Sequence, residues 1–324
     1  MQHIKWGIIG CGNVTEQKSG PAFSKVPHST LVAVMRRNAA KAKDYAERHQ
    51  VAKWYSDATE LINDAEINAI YIATPPSSHE EYAIQALAAG KFVYVEKPMS
   101  LDVASAQRMA DAVDSYQGKL VVAHYRRAQP MFLKIKDLLD EGSIGKVNLV
   151  QLKMYKPSSK TPKEENWRVD PAISGGGIFH DLAPHQLDLM YFFFGRVASA
   201  SGIAIQQEEA SGADDLVCGQ LIFENGIVFN GSWCFTINPY ESADLCEIYG
   251  SKGKISFAIF GYHIEVTLNG ETERFDFMPL EHVQQPMIEQ VVQYFLGKGE
   301  NPCPVEDGLL NMQLMTNFTA RTSS

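Results

Sequence analysis

The sequence predicts an α/β domain built on a parallel sheet, followed by an α+β domain with a large, mainly antiparallel sheet. Three observations predict it. Up to about residue 123, short apolar or β-branched runs alternate with helix-forming stretches, the pattern of strand–helix–strand units that pair in parallel. Beyond that point strands follow one another, with turn signals between them. The chain of 324 residues is long for one core, and two domains are its natural division. The expected domains are 1–123 and 124–324, with the last helix packing back on the first domain.

Each element of the first half has a local reason. Lys5 to Ile9 reads as a strand that ends at glycines, and Leu31 to Val34 as a second, after a turn-rich connection over Ser24 to Ser29. Ala39 to His49 holds strong helix formers with apolar positions at Ala42, Tyr45 and Ala46. Ile70 to Ala73 is uniformly apolar, as in a strand buried on both faces. Ser78 to Ala89 is a helix closed by Gly90. Phe92 to Val95, the helix Leu101 to Ser115 and the strand Leu120 to Ala123 complete the series.

In the second half, Pro130 to Glu141 is a helix stopped by Gly142. Strands are expected at Lys146 to Tyr155, Ala198 to Ile205, Leu216 to Phe223, Ile227 to Phe235, Cys246 to Tyr249 and Lys254 to Phe257. Asn225-Gly226 is a hairpin signal, and turns are expected at Gly250 to Gly253 and at Asn269-Gly270. Helices are expected near Asp181 to Phe194, at Gln284 to Leu296 and at Glu306 to Thr319.

Composition narrows the class. At 45% hydrophobic and 21% charged, the chain is an ordinary globular protein. Its net charge of −9 argues against nucleic-acid and anionic-membrane surfaces, which require clustered Lys and Arg. Cys11, Cys218, Cys234, Cys246 and Cys303 are scattered and form no C-x-x-C pair, as reduced thiols in a reducing compartment would be. The N-terminus has no signal-peptide architecture, and no run reaches the ~18–20 apolar residues of a membrane span. A cytoplasmic location is expected.

Gly10-Cys11-Gly12-Asn13-Val14-Thr15 follows the first strand and opens a helix, giving G-x-G-x-x-T, a dinucleotide fingerprint with its third glycine replaced. Gly10 permits the tight turn. Gly12 lets a pyrophosphate approach the helix N-terminus, at the amides of Asn13 and Val14. An NAD-binding fold carries an acid at the end of the second strand; here that end reads Met35-Arg36-Arg37-Asn38, with Lys41 one turn on. Arginines pair strongly with a 2′-phosphate, so NADP(H) is favoured and NAD(H) remains open. The plainer reading is a solvated basic edge.

Past the middle stands Gly175-Gly176-Gly177-Ile178-Phe179-His180-Asp181-Leu182-Ala183-Pro184-His185-Gln186-Leu187-Asp188. Asp181, His185 and Asp188 recur at helical spacing, which suits a metal site, an acid–base pair or polar surface. Against metal, His180 points off that stripe by helix geometry, and no second His or Cys cluster accompanies it. No metal is expected.

Glu96-Lys97-Pro98 at a strand end, together with the glycine–Asp–His motif, resembles the family of glucose–fructose oxidoreductase and inositol dehydrogenase, the Gfo/Idh/MocA family. Ala73-Thr74-Pro75-Pro76 with His79, Tyr125-Arg126-Arg127 before Pro130, and Asp140-Glu141-Gly142 with Ile144-Gly145 also match, in order along nearly the whole chain. The resemblance implies a Rossmann domain joined to an open-faced antiparallel sheet domain. It also implies an active site between them and nicotinamide-dependent chemistry on a secondary alcohol or carbonyl of a sugar or cyclitol. Lys97, Asp181 and His185 match the family's catalytic set. Glu96 matches a residue at the nicotinamide ribose, and Thr74, Pro75 and His79 match the loop along the cofactor. Trp167 and Arg168 resemble a pair that reaches the cofactor in some NADP-using members. Thr15, Arg36 and Pro184 depart from the pattern, and Arg36 speaks against NAD.

The chemistry suits these residues. Hydride transfer from a carbinol leaves a proton for a base, and imidazole titrates near neutrality. Asp181, four residues before His185, can orient it, while the Lys97 ammonium can stabilise alkoxide character. A small sugar or polyol substrate and a homodimer or homotetramer formed through the second domain's sheet are expected. The rival reading is a non-catalytic dinucleotide-binding regulator.

Overall fold

The computed structural model describes residues 2–158, 170–208 and 212–320. The chain divides into two compact units, residues 1–128 with 280–312, and residues 129–279 with 313–324. The segment 280–312, assigned on sequence to the second domain, thus belongs with the first unit. The reason is apolar: the Phe295 ring packs at 4.9 Å from that of Phe92 and 5.7 Å from that of Trp6, covering the sheet that carries them.

The first unit runs β1 (Ile4–Ile9), α1 (Asn13–Gln17), α2 (Ala22–Lys25), β2 (Ser29–Met35), α3 (Ala39–Arg48), β3 (Lys53–Tyr55), α4 (Ala58–Ile62), β4 (Ala69–Ile72), α5 (His79–Ala88), β5 (Phe92–Val95), α6 (Val103–Ser115) and β6 (Leu120–Val122). The sheet order is β3-β2-β1-β4-β5-β6, with every pairing parallel. Parallel strands need cover on both faces, and β4, Ala-Ile-Tyr-Ile, is buried throughout. The order reverses between β1 and β4, so their carboxyl ends diverge and leave a crevice, the place where ligands bind in such sheets. The free edge of β6 is covered by the return segment: Val122 N–H donates to the Cys303 carbonyl at 2.9 Å, and Asn301 Nδ2 to the Leu120 carbonyl at 2.9 Å.

The second unit holds α7 (Pro130–Asp140), β7 (Val147–Tyr155), α8 (Pro171–Ser174), α9 (Gly177–Phe194), β8 (Val197–Ile205), β9 (Leu216–Phe223), β10 (Val228–Cys234), β11 (Ala243–Gly250), β12 (Gly253–Phe257), β13 (His263–Leu268) and β14 (Glu271–Asp276). Helices α10 (Gln285–Phe295) and α11 (Val305–Thr319) follow, and α11 begins in the first unit and ends in the second. The sheet order is β14-β13-β12-β11-β7-β10-β9-β8, antiparallel except where β7 meets β10. Strand β7 alternates strictly: Val150, Leu152 and Met154 are buried, while Gln151 and Lys153 are not. The buried face lies under α7 and α9, through ring contacts of Phe132 and Phe193 with Phe257 and of Phe194 with Phe223. Phe193 and Phe194 at the end of α9 are therefore core, while Tyr191 and Phe192 are half-buried. The other face is an open concavity of about 500 Å³ that mixes polar Gln151, Lys153, Gln220 and Asn230 with apolar Ile203.

Several short elements have no counterpart in the expected pattern: α2, β3, α4 and α8; the turn expected at Asn269-Gly270 joins two unexpected strands, β13 and β14. Among the described residues, no helix is long and apolar enough to cross a membrane.

Candidate active site

The first part of the site is the turn after β1. Gly10 has φ +96°, and a Cβ there would lie 2.8 Å from Thr74 Cγ2 and 2.9 Å from the Ala73 carbonyl carbon, so only glycine fits. Gly12 is different: a Cβ there would meet no protein atom nearer than 3.9 Å. Packing does not require glycine at that position, and its bareness leaves open space before the uncapped N-terminus of α1. That cradle fits a pyrophosphate. Asn13 and Val14 supply the first amides of α1, and Thr15, at the third fingerprint position, is buried with its hydroxyl donating to the Gly12 carbonyl at 2.8 Å. Glu16 anchors the helix sideways, accepting both Arg48 guanidinium nitrogens at 2.8 Å, and the Arg48 bonds hold its carboxyl down to about 2. Burial pushes the Cys11 thiol up to about 11, so it stays protonated.

The end of β2 lies beside this turn. Arg36 Nη1 donates to the Cys11 carbonyl at 3.3 Å, turning the guanidinium over the glycine loop. Arg37 and Lys41 are exposed, and Asn38 caps α3 by accepting the Lys41 N–H at 3.0 Å.

The ends of β4 and β5 form the second part. Thr74 and Pro75 are half-buried on the loop after β4, where Ser78 Oγ donates to Thr74 Oγ1 at 2.9 Å. His79 has no exposed surface, and its ring nitrogens lie 2.7 Å from the Thr74 carbonyl oxygen and 3.0 Å from that of Pro98. A side chain without exposed surface touches no diffusible molecule unless it moves. His79 is therefore a brace between the β4 and β5 loops, and burial lowers its pKa. Glu96 is 7% exposed and accepts from Tyr71 Oη at 2.5 Å, Gln284 Nε2 at 2.6 Å and the Lys97 amide at 3.1 Å. Three donors aimed at one carboxylate fix the backbone at Lys97, which precedes a cis Pro98. Lys97 itself is half-buried. Next to it in sheet order, His124 is held well below its ordinary pKa by burial and then by the positive charges of Arg127 and Lys97. Arg127 is paired with Asp307 at 2.5 Å, both largely buried.

The second unit carries candidate residues of its own. Asp181 and His185 stand one turn apart on α9, Asp181 half-buried and His185 5% exposed. The sequence leaves Pro184 either in the first turn of a helix that starts near Asp181 or at a bend in the turn that presents His185; the structure starts α9 at Gly177, so Pro184 is interior. Ser174 Oγ accepts the Gly177 N–H at 2.9 Å and lets the helix begin early. Pro184 then leaves the His180 carbonyl without its helical N–H. His180 folds back instead, Nδ1 lying 3.1 Å from the Gly176 carbonyl oxygen, and burial lowers its pKa to about 4. A Cβ on Gly176 would lie 2.1 Å from that nitrogen, so the middle glycine makes room for His180. Asp188 is 2% exposed. Beside His185 lies Phe260, ring centroids 5.7 Å apart.

Trp167 and Arg168 lie outside the described residues. Among the described residues, no group of three or more His, Cys, Asp or Glu is placed to hold a metal ion.

Two family models match in succession: the oxidoreductase family with NAD-binding Rossmann fold over residues 4–124, and the GFO/IDH/MocA C-terminal domain over 132–256. The chain belongs to the Gfo/Idh/MocA oxidoreductase family. It is 49% identical to Oxidoreductase P35 of Formosa agariphila over 97% of this chain and 98% of that one. It is 26% identical to the myo-inositol 2-dehydrogenase of Thermotoga maritima, over 99% of this chain and 96% of that one. Among solved structures, levoglucosan dehydrogenase in complex with NADH and levoglucosan superposes with a TM-score of 0.88 at 20% identity, covering 98% of this chain and 96% of that one.

This Gfo/Idh/MocA oxidoreductase contains functional candidates that sequence reasoning missed. Tyr71 and Gln284 hold Glu96, yet Tyr71 reads as plain buried strand and Gln284 is 188 residues away. His124 ends the β6 region and carried no motif of its own. Phe260 stands among turn residues, and only its contact with His185 singles it out.

Proposed function

We propose that this enzyme transfers a hydride between NADP(H) and a secondary alcohol or carbonyl of a sugar or cyclitol. The observation that carries the reading is the crevice edge of the first unit. Gly12 leaves open space before α1, the Arg36 guanidinium turns over the same loop, and no carboxylate stands at the end of β2. Gly10, Gly12, Asn13 and Val14 take the pyrophosphate, and Arg36, Arg37 and Lys41 take a 2′-phosphate. Thr74, Pro75 and Glu96 line the cofactor, with Trp167 and Arg168 as further contacts. The bound nicotinamide supplies the hydride chemistry.

The chain's own residues handle the proton and the charge. Lys97 holds the substrate oxygen and stabilises its alkoxide character. His185 takes the hydroxyl proton in oxidation and returns it in reduction, with Asp181 stabilising the imidazolium. A relative that acts on myo-inositol supports a polyol substrate. The open face of the eight-stranded sheet, where Ile203, Ile205 and Ile222 are exposed, is the surface through which copies associate as a homodimer or homotetramer, and five free thiols suit the cytoplasm. His185→Ala should cut turnover of a sugar or cyclitol by about 10²–10⁴-fold while leaving NADPH affinity unchanged. Full turnover in that variant would remove His185 from the mechanism.

A further inference from the structure

We propose that His282 and Gln284 form a clasp that positions two parts of the first unit's site independently, His282 setting α1 behind the glycine turn and Gln284 setting Lys97. The proposal rests on the reading of that turn as the cofactor site and of Lys97 as the group that holds the substrate oxygen.

Helix α1 has five residues, too few to hold itself in place. The carbonyls of its last turn have no partner within the helix and need one from outside. The return segment supplies two. His282 Nδ1 lies 2.6 Å from the Gln17 carbonyl oxygen, and the Gln284 N–H donates to the Lys18 carbonyl at 3.2 Å. The imidazole is itself oriented, because Lys25 Nζ, on α2, lies 2.6 Å from its Nε2. An ammonium can only donate, so Nε2 accepts and Nδ1 carries the hydrogen given to Gln17. His282 is 6% exposed, and little water reaches either bond.

Two residues on, the side chain of Gln284 is buried at the end of β5. Its Oε1 accepts from Tyr94 Oη at 3.2 Å, which leaves Nε2 to donate to Glu96 Oε1 at 2.6 Å. The other oxygen of that carboxylate, Oε2, accepts the Lys97 N–H at 3.1 Å. A planar carboxylate held at one oxygen thereby fixes the backbone bonded to the other. The clasp is stiff, since it leads directly into α10: the Gln285 N–H donates to the His282 carbonyl at 2.9 Å, and the Ile288 N–H to that of Gln284 at 3.0 Å.

The two arms use different atoms. His282 serves α1 through its ring. Gln284 serves Lys97 through its amide side chain, whereas its bond to Lys18 comes from the backbone and survives any side-chain change short of proline. Replacing either side chain should therefore break one arm and spare the other.

The test crosses two variants with two readouts on the full chain. NADPH affinity is read from the fluorescence of the reduced nicotinamide. The setting of Lys97 is read from the rate at which trace acetic anhydride labels it, measured by mass spectrometry against exposed Lys43. His282→Leu should weaken NADPH binding by about three- to tenfold and leave Lys97 labelling unchanged, and His282→Asn, which keeps a donor near Nδ1, should restore the affinity. Gln284→Met should leave NADPH binding unchanged and alter Lys97 labelling by about three- to tenfold. Gln284→Glu should label as the wild type does at low pH, where two facing acids share a proton and a donor to Glu96 is restored, and should depart from it as pH rises. Asn301→Ala removes the bond from the same return segment to the Leu120 carbonyl, at the start of β6. It should lower Tm and move neither readout. Unchanged NADPH affinity in His282→Leu, or unchanged labelling in Gln284→Met, would overturn the proposal. So would both variants moving both readouts, or Asn301→Ala moving them as far, since the clasp would then be ordinary packing. A wild type that binds no NADPH would remove the cofactor reading and the His282 arm with it, while Lys97 labelling would still decide the Gln284 arm.

Discussion

The crevice edge of the first unit and the α9 region of the second are built from different materials. Around Gly10, Gly12 and the β4 and β5 ends, the site is made of backbone: a glycine turn, amides, and loop carbonyls clasped by His79. Around His185 the candidates are side chains, Asp181 one turn before it on the same helix and Phe260 brought by packing from the connection between β12 and β13. A backbone site tolerates almost no substitution at its turn and is indifferent elsewhere. A side-chain site tolerates substitution structurally and loses chemistry.

That contrast can be broken at Gly10. Gly10→Val forces a β-branched residue into φ +96° and drives Cβ against Thr74 and Ala73. The backbone conformation alone costs about 1–2 kcal/mol, and the clash adds to it. Loss of NADPH binding together with a clearly lower Tm is expected; a variant that binds NADPH normally would show that the turn is not rigid.

A smaller effect is expected at Glu96. Glu96→Gln replaces an acceptor of three donors with a group that presents its own N–H₂ to them. About 1–3 kcal/mol of stability should be lost in urea unfolding of the first unit, with turnover falling through misplacement of Lys97. Equal stability of variant and wild type would mean that Tyr71 and Gln284 do not constrain the loop.

The smallest effect is one of pH. The folded pKa of His180, about 4, lies below its ordinary 6.5, so the unfolded chain binds the extra proton. Stability from this group is complete above 6.5 and is lost progressively as pH falls towards 4. Between pH 7 and 5.5 the loss is about 1 kcal/mol. His180→Asn should flatten that part of the urea-unfolding profile, and an unchanged slope would assign acid sensitivity to other groups.

What the sequence revealed follows the same division. Gly10 was legible because a residue type that alone tolerates positive φ is its own signal, and the parallel series was legible because buried strands such as β4 read as unbroken apolar runs. The hairpin β13–β14 was half visible. Asn269-Gly270 marks its turn, but β14 reads Glu-Thr-Glu-Arg-Phe-Asp, and the charges of an edge strand conceal it. The start of α9 was misread because Pro184 suggests a first turn, whereas the Ser174 hydroxyl sets it at Gly177. Gln284 had no local mark at all: its role exists only because the return segment brings it to Glu96.

The central claim is that the glycine turn and Arg36 together bind NADP(H). Titrating the protein with NADPH and with NADH, followed by the fluorescence of the reduced nicotinamide, tests it directly, with Arg36→Asp measured alongside. Tight NADPH binding, weaker NADH binding and a reversed preference in Arg36→Asp are predicted. Equal affinity for the two cofactors, unmoved by the substitution, would contradict the phosphate role of Arg36, and binding of neither would contradict the cofactor site itself.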